Sequence, residues 1–124
     1  MVITISWLFS RLNDSGSGWP SFFAAITVAE LYLGVHLAGN DASRVRREAF
    51  VESIVGGVPS LPFNQDIARV YSRIYSIFLK PRSKLGSNVH DLQIAATALA
   101  YGYPVLTCNV SDFNKMPGLD ALSP

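Results

Sequence analysis

The sequence predicts an α/β fold in which a short parallel sheet is covered by helices on both faces. Short, uninterrupted apolar runs alternate with longer segments whose apolar residues recur at helical spacing, and several of these segments open on a residue that can cap a helix. The chain has 124 residues, of which 49% are hydrophobic and 15% charged. This is the composition of a globular protein, and the length fits a single domain over residues 1–124.

The first half of the chain is predicted to alternate helix, strand and helix. Residues 1–12 are predicted as a helix because their apolar positions share one helical face: Ile5, Leu8, Phe9 and Leu12. After a loop rich in Gly and Ser, residues 22–26 form an apolar run typical of a strand buried on both faces. Thr27 is predicted to open the next helix, and a further helix is expected over residues 43–55.

The second half continues the alternation. Residues 58–63 are predicted as an edge strand, since prolines within a strand are tolerated at a sheet edge. Asn64 is predicted to start a long helix, and residues 88–102 a second one. Residues 103–107 then form a third strand, and a short helical turn begins at Asn109. Strands separated by helices in this way are typical of a parallel sheet.

Three predicted helices open on the same pattern, a capping residue followed three positions later by an acid: Thr27 and Glu30, Asn88 and Asp91, Asn109 and Asp112. Capping alone explains each case, because a carboxylate in the first helical turn accepts from an orphan N–H and interacts favourably with the helix dipole. However, two of the acids also follow predicted strands. The carboxyl ends of parallel strands meet at one edge of a sheet, where ligands bind.

Carboxylates that converge on one edge repel one another unless a cation lies among them. Mg²⁺ or Mn²⁺ fits such oxygen ligands, and a metal held there could polarise a phosphodiester and activate water. A basic loop with Lys80, Arg82 and Lys84 could hold a phosphate backbone, although an ordinary solvated loop explains the same charges. Cys108 follows a predicted strand and is interpreted as a small buried hydrophobe.

Other classes of protein are disfavoured by composition. A net charge of +1 creates no global field that would attract nucleic acid, so any such contact would need local patches. The single cysteine fits a reducing compartment, and no apolar run approaches the roughly 20 residues of a membrane span. We therefore expect a cytoplasmic protein without a membrane partner.

Four segments, in this order, resemble the PIN-domain family and, within it, the VapC-type toxin ribonucleases of toxin–antitoxin pairs. They are AITVAELYLGV at residues 25–35, GSNVHDLQIAATALAYG at 86–102, VLTCNVSDF at 105–113, and the closing PGLDALSP. The resemblance implies a three-layer PIN-like fold and an endoribonuclease that depends on Mg²⁺ or Mn²⁺. It also implies an RNA substrate, a cognate antitoxin that neutralises the protein, and a homodimer.

The resemblance also implies roles for individual residues. Glu30, Asp91 and Asp112 look like the catalytic acids that hold the metal. Thr107 and Asn109 look like the polar pair that supports them on the substrate side, where the basic loop is also expected.

The beginning of the chain departs from the family pattern. Family members start with a strand that ends in an Asp, the first metal ligand, and the sequence shows no such segment, so the central strand looks absent or replaced. Three explanations of this departure remain open. The start codon is misassigned, the gene is truncated, or residues 1–5 form a replacement strand with Ser6 near the place of the Asp. The helical spacing of residues 1–12 argues against the last. An alternative function follows: a degenerate PIN domain that only dimerises or binds an antitoxin.

Overall fold

A five-stranded parallel sheet lies at the centre of the protein. The structure is a computed structural model and describes residues 2–4, 21–79 and 89–123. In chain order the strands are β1 (Val2–Thr4), β2 (Ser21–Ala24), β3 (Ser60–Leu61), β4 (Val105–Leu106) and β5 (Ala121–Leu122). Their order across the sheet is β3-β2-β1-β4-β5, and every pair is parallel.

The central strand is β1, which corrects the prediction of a helix over residues 1–12. Ile3 pairs with Phe22 on one side and with Val105 on the other, and its N–H donates to the carbonyl of Pro104 over 2.9 Å. Ile3 is fully buried. Val2, Ile3 and Thr4 are β-branched and pair well within a sheet, and pairing with two neighbours outweighs the local helical spacing. Val2–Thr4 therefore fills the central position of the sheet that the sequence left without a recognisable strand, while Ser6 and the rest of the predicted helix lie outside the described residues.

Five helices are described: α1 (Ala25–His36), α2 (Asp41–Gly57), α3 (Gln65–Phe78), α4 (Val89–Tyr101) and α5 (Val110–Asn114). They cover both faces of the sheet, as two separate apolar clusters show. Phe23 packs with Ile54 and Val58 on one face, whereas its neighbour Ala24 belongs to a larger cluster with Ile3 and residues of α3 and α4. Successive residues of a strand point to opposite faces, so the sheet lies between two helical layers. The predicted α/β architecture is confirmed.

Two helices begin on an asparagine cap. Asn64 Oδ1 accepts from the N–H of Ile67 over 3.0 Å, which confirms the predicted start of the long helix. Asn40 Oδ1 accepts from the N–H of Ser43 over 2.8 Å, so α2 begins at Asp41, slightly before the predicted residue 43.

The predicted start of α1 at Thr27 is wrong. Ala24 still has the extended dihedral angles of the strand (φ −70°, ψ 147°), and the helix begins at the next residue, Ala25. The strand therefore passes into the helix without a loop. Thr27 is therefore the third residue of the helix, and its side chain is 2% exposed. Glu30 lies in the second turn, where it cannot act in a capping box.

The end of the chain contributes a strand that the sequence did not indicate. The predicted edge strand is confirmed as β3, but β5 forms the opposite edge. The N–H of Val105 donates to the carbonyl of Asp120 over 2.9 Å. The N–H of Thr107 donates to the carbonyl of Leu122 over the same distance, 2.9 Å. A two-residue strand is too short to produce a recognisable alternation. No helix in the described part of the chain is long and apolar enough to cross a membrane.

Candidate active site

Two carboxylates act on a third, Asp91, at the carboxyl edge of the sheet. Glu30 lies in α1, directly after β2; Asp112 lies in α5, shortly after β4; and Asp91 is the third residue of α4. The pKa of Asp91 is raised above its ordinary value, first by burial and then by the negative charges of Glu30 and Asp112. Charges influence a pKa strongly only at short range. Glu30 and Asp112 therefore both lie near enough to Asp91 for their charges to act on its carboxylate.

The half-buried Asp91 is held by the helix behind it. Directly after it, α4 buries Leu92, Ile94, Ala95 and Ala96. The alanines let this helix pack closely on β1, β2 and β4 and on α3. An anchored backbone leaves only two side-chain torsions to place the Asp91 carboxylate, so its position is well defined.

Glu30 is joined to the same helix by a histidine. His90 Nδ1 lies 3.2 Å from Glu30 Oε1, and both side chains are partly exposed, at 47% and 42%. The positive charge that His90 carries when protonated lowers the pKa of Asp91, opposite to the effect of the two acids. Sequence reasoning did not place His90 in the site. Its adjacency to Asp91 was the only signal, and the contact depends on how α1 lies beside α4.

Asp112 is held by the polar pair that the resemblance implied. Asn109 Nδ2 donates to Asp112 Oδ2 over 2.6 Å, and the N–H of Asn109 donates to Thr107 Oγ1 over 2.9 Å. Thr107 is almost fully buried. Asn109 occupies the cap position of α5, but its side chain makes no cap hydrogen bond, so the capping interpretation is wrong here. Lys115 Nζ lies 3.8 Å from Asp112 Oδ1 in an exposed ion pair, a weaker contact than the hydrogen bond from Asn109. The spacing of three residues on a helix could have predicted this pair from the sequence.

Other predicted residues are placed differently or not at all. Lys80, Arg82, Lys84 and the cap residue Asn88 lie outside the described residues. Cys108 is exposed, which corrects the prediction of a small buried hydrophobe. The reason is its position just past the end of β4, where its predecessor Thr107 takes the buried place.

The donor set fits a hard divalent cation that keeps part of its water shell. Across residues 2–4, 21–79 and 89–123, no three Asp, Glu, His or Cys side chains converge into a group that could enclose a metal ion. Mg²⁺ does not need such a group, because it usually binds through one or two carboxylates and retains several waters. Glu30 and Asp112 place negative charge near Asp91, and such an ion would neutralise this charge.

Comparison with known proteins identifies the class and the family. No family model matches the sequence. The fold matches a solved member of the VapBC family of toxin–antitoxin systems, VapBC-5 from Mycobacterium tuberculosis, with a TM-score of 0.73 and 25% identity over 98% of this chain and 95% of that one. The solved structure of VapBC2 from Rickettsia felis matches with a TM-score of 0.80 over 99% of this chain and 98% of that one. Its sequence identity is 16%, so this match supports the fold alone. The architecture is that of the PIN-domain class of proteins.

Curated relatives define the family more closely. The sequence is 36% identical to ribonuclease VapC1 of Rickettsia felis over 103 residues, which is 83% of this chain and 75% of the relative. It is 35% identical to ribonuclease VapC of Rickettsia bellii over 117 residues, which is 91% of this chain and 86% of the relative. The chain belongs to the VapC family of ribonucleases.

Proposed function

We propose that this chain is a toxin ribonuclease that cleaves RNA with the help of a divalent metal ion held by Glu30, Asp91 and Asp112. The observation that carries the proposal is the raised pKa of Asp91, which arises in part from the other two carboxylates. A half-buried carboxylate whose ionisation is opposed by two neighbouring acids is costly in a purely structural role. Sequence similarity to curated VapC ribonucleases supports the reaction class.

When bound, Mg²⁺ or Mn²⁺ supplies the polarisation of the phosphodiester and the activation of water that hydrolysis needs. The protein's own residues keep the acids in place. Thr107 fixes the backbone of Asn109, and the Asn109 amide fixes the Asp112 carboxylate. The basic residues Lys80, Arg82 and Lys84 are proposed to bind the RNA backbone, because lysine offers phosphate a point charge and arginine a bidentate donor.

A protein partner is part of the proposal. Four large apolar side chains are exposed on α1, directly after it, and on α2: Leu33, Leu37, Val45 and Phe50. A partner that packs against these helices would remove the four side chains from water, which favours binding. A solved structure that the chain resembles, VapBC-5 from M. tuberculosis, is a member of a family of toxin–antitoxin systems, which supports an antitoxin partner. We propose that this antitoxin covers the site. We further propose that the single domain forms a homodimer and acts in the cytoplasm.

The alternative is a degenerate domain that binds an antitoxin without cleaving RNA. It is favoured by one observation, the absence of a three-ligand metal group among the residues that the structure describes. The two functions differ in a simple measurement, since only the enzyme depends on the acids and on a metal ion.

The test is RNA cleavage by the purified chain with Mg²⁺ or Mn²⁺ and with excess chelator. We expect cleavage that needs the ion and falls by at least about a hundredfold in Asp91→Asn. The matched control is Asp66→Asn, which changes an exposed acid in the first turn of α3 and should leave the rate unchanged. Cleavage that survives both the chelator and Asp91→Asn would overturn the metal mechanism, and a wild-type chain without any cleavage would favour the degenerate domain.

A further inference from the structure

His90 joins the two helices that carry two of the acids. It is the second residue of α4, directly before Asp91, and its Nδ1 lies 3.2 Å from Oε1 of Glu30 on α1. Because α1 and α4 meet along the sheet, the ring spans from one helix to the other at the acidic edge. Neither the resemblance nor the comparisons assign this histidine a role.

Resting on the proposed function, we propose that His90 is a positioning residue that holds the Glu30 carboxylate beside Asp91 for metal binding. A glutamate has three side-chain torsions, and on a partly exposed helix surface its carboxylate can adopt several rotamers. Repulsion from Asp91 favours the rotamers that point away. A donor fixed on the same helical turn as Asp91 selects a rotamer that keeps Glu30 near it.

This role does not require a change of protonation. Nδ1 can donate to the carboxylate both in the neutral tautomer that carries its proton there and in the imidazolium form. The pair is exposed, so its contribution to stability is small. Its effect should therefore appear in metal affinity, where the arrangement of the ligands matters more than the strength of one contact.

The test is the affinity for Mn²⁺ alone, measured by isothermal titration calorimetry on the full chain. We expect His90→Ala to weaken binding about tenfold, as second-shell changes do. His90→Asn should restore most of the affinity, because its amide nitrogen occupies nearly the place of Nδ1 and can donate to Glu30. The matched control His36→Ala changes the exposed histidine at the end of α1 and should have no effect. Thermal unfolding in chelator establishes that each variant is folded.

Glu30→Gln separates this inference from the proposed function. If Glu30→Gln weakens Mn²⁺ binding and His90→Ala adds nothing to it in the double variant, both ideas are supported. If Glu30→Gln weakens binding but His90→Ala alone does not, the positioning role is overturned while the metal site stands. Unchanged binding in Glu30→Gln would overturn both. Tighter binding in His90→Ala would show that the ring competes with the ion, and failure of His90→Asn to restore affinity would also contradict a positioning role.

Discussion

Asn109 donates a hydrogen bond of 2.6 Å to Asp112 instead of capping the helix that it precedes. A hydrogen bond to an ionised carboxylate is short and stronger than one between neutral groups. Its effect is to fix one of the three acids at the edge of the sheet, on a support that begins at the buried Thr107.

Removal of this support should reduce activity more than removal of the neighbouring ion pair. We expect Asn109→Ala to lower the rate of RNA cleavage about ten- to a hundredfold, since the Asp112 carboxylate loses its orienting donor. Lys115→Ala is the matched control, because it removes only the exposed contact at 3.8 Å and should change the rate less than about threefold. Equal effects of the two variants on the rate would contradict an orienting role for Asn109.

The Asp91 carboxylate should oppose folding when no metal is present. Its charged form is disfavoured by burial and by Glu30 and Asp112, so Asp91→Asn should raise the free energy of unfolding in chelator at pH 7.5. Urea unfolding followed by circular dichroism measures this difference. With Mn²⁺ at a hundred times its Kd, the wild type should gain about 2.7 kcal/mol, whereas Asp91→Asn should gain much less. A less stable Asp91→Asn in chelator would contradict the interpretation.

The stability difference between wild type and Asp91→Asn should depend on pH. The pKa of Asp91 is raised above 3.8 in the folded chain, so the folded state binds this proton more tightly than the unfolded state does. The resulting stability is fully present below pH 3.8 and is lost as the pH rises through the raised pKa. In chelator, the wild type should therefore match Asp91→Asn at low pH and fall below it as the pH rises. A difference that stays constant with pH, or changes in the opposite direction, would refute this.

A buried hydroxyl in α1 should lower stability. Thr27 Oγ1 is buried without a hydrogen-bond partner, and its desolvation is uncompensated. We expect Thr27→Val to raise the free energy of unfolding by about 1 kcal/mol, because it removes the hydroxyl and keeps the shape. Thr27→Ser, which keeps the hydroxyl and loses the methyl group, should be less stable than the wild type. Urea denaturation of the three chains provides the comparison, and a destabilised Thr27→Val would indicate that the hydroxyl is satisfied in solution.

Helix positions followed well from local sequence where a cap or a long apolar face was present. Asn64 was recognised because an asparagine before a helical pattern accepts from a first-turn N–H, as it does from Ile67. The segment predicted as a helix over residues 88–102 is described as Val89–Tyr101. Caps and apolar helical faces are properties of short segments, so they predict a helix without knowledge of the rest of the chain.

Strands were harder to predict because their pairing depends on distant segments. β1 was expected to be helical, and it is a strand because residues 21–22 and 105–106 lie on either side of it. β5 has two residues and exists because β4 offers it a free edge. The start of α1 was misplaced because Ala25 and Ile26 continue an apolar run whose end cannot be located from hydrophobicity alone.

The sequence by itself determined the α/β class and which acids follow strands or open helices, since both are properties of short segments. Only the tertiary structure decided that Glu30 and Asp112 act on Asp91, that Asn109 binds Asp112, and that His90 reaches Glu30. The physical reason is the short range of electrostatic effects and hydrogen bonds, which depend on distances in space. Residues 30 and 91 are far apart along the chain, and the packing of α1 beside α4 brings them together.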